Sequence, residues 1–440
     1  MTKHYDLVIV GAGPAGAMAA KTAGENGLKT AILERKTDPA RITRGCAHMF
    51  ISEAGAFAEK MYYNSKSRKM IFPVNGFTVD YDGPVRNFYA WHVYSPDGKT
   101  RLEFGDYEQN IKQGDRGRIS FVFDKGRLIE GLMKEAVKNG VDVFAGVNAE
   151  GVEKTSGGVT VTGSGETFEG SFVIGADGLN SRTAQQMGFN KGRKFYGNPP
   201  GINYYVKGLS IPQSEALTTP IYFRPNAPVP GFFYIIPSPF AEDEFWIGIR
   251  TREDFEYATT KSVYSEWFHN HEITGIKSYV WSQWAPVDEP FRDNVLLAGD
   301  APWYAESEIT GAMMCGWKSA NAVTVALKNG KPDREGILSY IEWWRKSFPE
   351  YEDYRKQLLL FPFYLMFTQE EMIYLYRLIN KPLPKTMSPF KPPELFKEAL
   401  KPMMDRIREE MPAAAEKIDR LSIDNVEELL SDIKKKNYKI

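Results

Sequence analysis

Four groups of residues in this sequence could do chemistry: glycines spaced to hold a phosphate, acids that end apolar runs, a cysteine among arginines, and a glutamate pair. Gly11, Gly13 and Gly16 follow the apolar run 7–10 in G-x-G-x-x-G spacing, with Pro14 and Ala15 between them and an alanine-rich stretch behind. Gly11 permits a tight turn, Gly13 lets the backbone approach a pyrophosphate, and Gly16 lets helix and strand pack closely. The helix start adds free N–H groups and a positive dipole end. A second β-like run, 29–33, closes on Glu34, where an acid can hold a ribose. Strand, glycines, helix, strand and acid in that order are the context the motif requires, so the spacing predicts a bound dinucleotide. The bland alternative is a glycine turn and a surface glutamate.

Arg41, Arg44, Cys46 and His48 fall within eight positions of one another, in a stretch with no period that reads as a loop leading into a helix. Arginines there suit cofactor phosphates or activate the thiol; solvated arginines around a buried, inert cysteine are the alternative. Two more apolar runs end at an acid: 171–174 before Gly175-Ala176-Asp177-Gly178, and 294–298 before Gly299-Asp300-Ala301. Beyond the second, Glu306 and Glu308 precede Thr310, Gly311 and Ala312, which open a helix reaching about residue 327. The two carboxylates either donate protons, if burial keeps them protonated, or complement the helix dipole. Tyr234, in the aromatic run 231–236, is a third donor candidate beside the plainer role of sheet core or pocket wall. Trp303 and Tyr304 either shape a pocket or simply pack.

Several elements must position these groups. Short runs between 69 and 123 alternate with turn signals, and an aromatic, turn-rich region from 195 to 285 reads as a second sheet. His92 reads as a sheet histidine. The stretch 124–139 reads as a helix stopped by Gly140, and 331–440 as mostly helical, broken at Pro362, Pro382 and Pro389. The apolar run 361–367 reads as helix core, as a lid, or as a peripheral membrane contact. At 440 residues the chain exceeds one ordinary domain, and its net charge of −1 argues for no nucleic-acid partner. Two cysteines cannot frame disulfides and suit a reducing compartment. No apolar stretch approaches the ~20 residues of a membrane span. Met1 runs almost directly into the first strand, which leaves no room for a signal peptide, so a cytoplasmic protein is expected. No pattern for a metal is present.

Gly11-x-Gly13-x-x-Gly16 with Glu34, then Gly175-Ala176-Asp177-Gly178, then Gly299-Asp300-Ala301 resemble the three FAD fingerprints of the p-hydroxybenzoate-hydroxylase-like flavoproteins. The geranylgeranyl-reductase branch is the nearest within them. Arg44-Gly45-Cys46 followed by Ser52 resembles its loop cysteine, 230–237 followed by Ile247-Gly248 its aromatic strand, and Thr310-Gly311 the start of its flavin helix. Glu308 stands where the branch has proline, Met313 where it has a second glycine, and Lys125 where an arginine is usual.

The resemblance implies an α/β fold: a Rossmann-like FAD-binding domain with an inserted antiparallel-sheet substrate domain and a helical C-terminal region. The FAD-binding parts would be 1–70, 124–190 and 289–330, substrate-domain strands 71–123 and 191–288, and the helical region 331–440. FAD would be held by Gly11, Gly13, Pro14, Ala15, Gly16, Glu34 (adenosine ribose), Arg35, Arg44, Gly45, Cys46, Asp177, Gly299, Asp300 (ribityl-pyrophosphate), Thr310, Gly311 and Ala312. The implied activity is reduction of C=C bonds in an apolar, isoprenoid-like or aromatic molecule by hydride from flavin N5, with Cys46, Glu306, Glu308 or Tyr234 supplying the proton. Two other classes stay open: an NAD(P)H-dependent aromatic monooxygenase, and an electron-transfer flavoprotein serving a quinone or protein partner. The electron source, NAD(P)H or a reduced protein donor, also stays open.

Overall fold

The computed structural model describes residues 2–51, 56–225, 227–349 and 353–436. Ser52 lies outside them. The first sheet has the opening strand Thr2–Val10 at its centre, between Thr30–Glu34 and Glu166–Gly175, with Asp142–Ala145 beyond Thr30–Glu34; these four run parallel. The end of the opening strand and all of Thr30–Glu34 are buried, which is why both read as continuous apolar runs rather than alternating ones. The helix Pro14–Glu25 packs against two others, Lys125–Lys138 and the long Glu308–Lys328. A Cβ on Gly316 would sit 2.1 Å from the Ala15 carbonyl oxygen, so the opening and long helices touch backbone to backbone.

Strand Glu166–Gly175 has two partners on one side. Its first half pairs antiparallel with Val159–Gly163, which continues into Ala149–Lys154. Its end pairs in parallel with Val295–Leu297, from far later in the chain. Val10, Leu33, Gly175 and Leu297 therefore lie level at or next to the ends of neighbouring strands, and the loops that follow gather outside the carboxyl edge of the sheet, where open α/β sheets bind ligands.

The second large sheet runs in the order Glu272–Val280, Pro200–Lys207, Glu244–Ile249, Tyr234–Pro237, Leu217–Tyr222, Trp91–Tyr94, Arg101–Phe104. The sequence predicts separate strands before 123 and after 195; of the earlier ones, Trp91–Tyr94 and Arg101–Phe104 join this sheet, while Tyr62–Asn64, Lys69–Phe72 and Phe77–Asp80 form a sheet of their own. Trp91–Tyr94 is buried throughout and pairs in parallel with Leu217–Tyr222, so one pairing of an otherwise antiparallel sheet differs from expectation. His92 lies fully buried within it.

The loop after Arg44 leads into a strand, Met49–Ile51 on Ser120–Phe123, where a helix was expected. Phe50 explains the difference, because it is buried and stacked 4.6 Å from Phe123 across the pairing. The C-terminal part is helical, and in Leu360–Leu365 the side chains of Phe363, Tyr364 and Leu365 are buried. Among the described residues no helix is long and apolar enough to cross a membrane.

Candidate active site

The glycine turn is built by contacts that tolerate no side chain. Gly11 has φ of +96°, and a Cβ there would lie 2.6 Å from the Ala176 carbonyl oxygen. A Cβ on Gly16 would lie 1.8 Å from the Gly11 carbonyl oxygen. Gly13 differs, since its Cβ would meet nothing within 4 Å. The helix behind it begins at Pro14 with no side-chain cap and no acid in its first turn, so its end is left for an external anion. Glu34, buried, accepts from Ala12 N at 2.8 Å and from Lys36 N at 2.9 Å. A carboxylate has further lone pairs for ribose hydroxyls.

A groove of about 590 Å³ joins these parts. Glu34 and Arg35 line one end; Gly11, Gly13, Pro14 and Ala15 follow; Asp177, Gly299, Asp300 and Ala312 lie deeper, with Arg44 and Cys46 on the facing loop. The open space over Gly13, the uncapped helix end and the buried acid fit an FAD molecule laid along the groove. Thr310 and Gly311 are not in its lining. A Cβ on Gly311 would meet Phe57 and Phe348 instead, and Gly45 faces the second cavity.

Asp177 lines the groove, but its carboxylate works within its own turn, accepting from Ser181 Oγ at 2.6 Å, Thr183 N at 3.1 Å and Thr183 Oγ1 at 3.1 Å. Asp177→Ala is expected to lower stability by about 1–3 kcal/mol, read as a lower urea midpoint at unchanged slope. An unchanged midpoint would mean that the turn holds without its acid. Asp300 accepts from Ser307 N and Oγ, each at 2.8 Å. Burial and then Glu306 raise its pKa, against the pull of Arg44.

A second, mostly apolar cavity of about 390 Å³ adjoins the groove. Tyr234, Phe232, Tyr304, Leu360, Phe361 and Tyr364 are among its walls, so the 361–367 run serves as cavity wall and core. Trp303 packs instead among Phe57, Trp344 and Phe348. Burial first, then Tyr279, raise the pKa of the Tyr234 phenol and keep it neutral. The two cavities share Cys46, Ala47, Met49, Tyr279, Glu306 and Glu308 as a common wall.

Charges in that wall are unevenly paired. Arg44 forms a salt bridge with Glu306. The Glu308 side chain makes no hydrogen bond or ion pair among the described residues. Its pKa is pushed well above the usual carboxylate range, by burial and then by Glu306 and Asp300, against Arg44. Glu308 also holds φ of +56°, a left-handed backbone that proline cannot adopt. The sulfur of Cys46 lies 3.1 Å from the Lys125 ammonium. His48, beside them, is buried against Trp246, and burial followed by Lys125 and Lys277 lowers its pKa well below the usual histidine value.

Neither the place of Tyr279 nor the approach of Lys125 to Cys46 is legible in the sequence. Tyr279 comes from the edge strand Glu272–Val280, where its alternation gave no signal; Lys125 reaches Cys46 only through the fold.

A family model described as an FAD binding domain matches residues 4–303. The chain is 24% identical over 367 residues to digeranylgeranylglycerophospholipid reductase 1 of Methanococcoides burtonii, covering 79% of this chain and 81% of that protein. It is 26% identical over 366 residues to the digeranylgeranylglycerophospholipid reductase of Methanothrix thermoacetophila, covering 78% and 83%. Among solved structures, a geranylgeranyl bacteriochlorophyll reductase-like protein from Thermoplasma acidophilum superposes with a TM-score of 0.68 at 17% identity, over 96% of this chain and all of that one. The flavin-dependent brominase Bmp2 superposes at 0.56 and 14%, over 99% of each. These two establish likeness of fold.

Proposed function

The chain belongs to the FAD-binding-domain family, and from that premise we propose that it is an FAD-dependent reductase saturating C=C bonds of an apolar, isoprenoid-like or aromatic molecule. The observation that carries this reading is the common wall, which sets an apolar cavity against the nucleotide groove with a carboxyl in the partition, Glu308, that has no partner among the described residues and whose pKa burial raises. Relatives named as digeranylgeranylglycerophospholipid reductases support it. Reduced FAD supplies hydride when bound.

The chain's own residues do the rest. Gly11, Gly13 and the uncapped helix take the pyrophosphate, while Glu34 takes the adenosine ribose. Phe232, Phe361 and Tyr364 exclude water from the substrate. Glu308 donates the proton, since burial raises its pKa and no described residue holds its carboxyl at the partition. Glu306 is neutralised by Arg44, and Cys46 is engaged by Lys125, so both rank behind it; neutral Tyr234 is a second donor in the cavity wall. Electrons come from NAD(P)H or a reduced protein donor. The two free thiols suit a cytoplasmic setting, and any membrane contact would serve to collect an apolar substrate.

The test follows flavin absorbance after mixing photoreduced holoprotein with geranylgeraniol under anaerobic conditions, or with air. Rapid oxidation by the polyprenol with slow reaction in air is expected. Substrate-dependent oxygen consumption would make the protein a monooxygenase, and oxidation only by a quinone or protein partner would make it an electron carrier.

A further inference from the structure

Tyr279 shares the common wall with Cys46, Glu306 and Glu308. Its ring lines both the nucleotide groove and the apolar cavity. Glycines from two other segments make room for it. A Cβ on Gly45 would lie 2.5 Å from Tyr279 Cδ1, and one on Gly201, its cross-strand partner, would lie 2.2 Å from Cζ and 2.4 Å from the hydroxyl oxygen. Gly45 N also donates to Ser278 O at 3.2 Å, which ties the cysteine loop to the same strand.

The phenol faces charge. Burial raises its pKa, followed by Glu306 and Cys46, while Arg44 opposes them, and Tyr279 in turn acts on Tyr234. Its hydroxyl makes no hydrogen bond to protein among the described residues. An aromatic ring laid across a strand glycine is also a packing device. Packing alone, however, does not need a hydroxyl, and places no ring on the boundary of two cavities.

We propose that Tyr279 is the partition residue of this site, with one face against the bound flavin ring and the other against the substrate. By filling the opening between groove and cavity, it decides which part of an apolar substrate reaches the flavin. This rests on FAD in the groove and an apolar substrate in the cavity, and is independent of whether the reaction is a reduction.

A phenol in contact with a flavin quenches its fluorescence by donating an electron to the excited ring, so the bound cofactor reports on Tyr279 without turnover. FAD-loaded Tyr279→Phe is expected to emit about threefold or more above wild type, and Tyr279→Trp to restore the quenching. Gly201→Ala, which displaces the ring without removing it, should brighten the flavin as Tyr279→Phe does. Tyr279→Ala should steepen acrylamide quenching of the flavin, and geranylgeraniol added to fill the cavity should reverse that. Unchanged emission in both Tyr279→Phe and Gly201→Ala, with FAD bound, overturns the proposal. So does a Tyr279→Ala protein whose acrylamide response matches wild type.

Discussion

Glu308→Gln is expected to lower turnover about a hundredfold or more while leaving FAD bound, as loss of a general acid does. Glutamine keeps the shape but carries no transferable proton. The sign of the pH dependence follows from the raised pKa: the donor is competent below it and is lost as pH rises through it, by about tenfold per pH unit. Wild-type turnover should therefore have an alkaline limb that the glutamine variant lacks. Glu306→Gln removes a charge that now raises Glu308, so its limb should move to lower pH. Turnover within about twofold of wild type in Glu308→Gln would pass the role to Tyr234, Cys46 or solvent.

The second large effect separates building the groove from using it. Gly16→Ala places a Cβ 1.8 Å from a backbone oxygen that has nowhere to go. It should cost about 3 kcal/mol or more of stability and weaken FAD binding over a hundredfold. Gly13→Ala meets no protein atom within 4 Å, so its unfolding midpoint should stay close to wild type while FAD binding still weakens. Urea unfolding of the apoprotein and fluorescence titration with FAD measure the two effects separately. Full FAD affinity in Gly13→Ala would mean that the pyrophosphate lies elsewhere.

Much of the fold was legible because its constraints are local. Gly11, Gly16 and Glu34 are adjacent to the strand ends they serve, and a clash or an acid at a strand end leaves its mark within a few positions. The parallel pairing of Trp91–Tyr94 with Leu217–Tyr222 was not legible, since both are short, continuously buried runs that suit either direction. The short strand at Met49 was hidden by its length. In the site, Glu306 and Glu308 could be named but not told apart; the salt bridge to Arg44 and the left-handed backbone at Glu308 distinguish them, and neither is encoded nearby. Strain of this kind gathers at functional positions. Tyr279 depends on Gly45 and Gly201 jointly, residues that only the folded sheet brings to one ring.

The strand Glu166–Gly175 waits for its last partner until residues 295–297 have been made. A nascent chain shorter than that displays a bare strand end beside a half-built groove, the kind of edge that recruits other chains. Gly299 and Asp300 follow that late strand directly, so the groove lacks this part of its lining until the strand has paired.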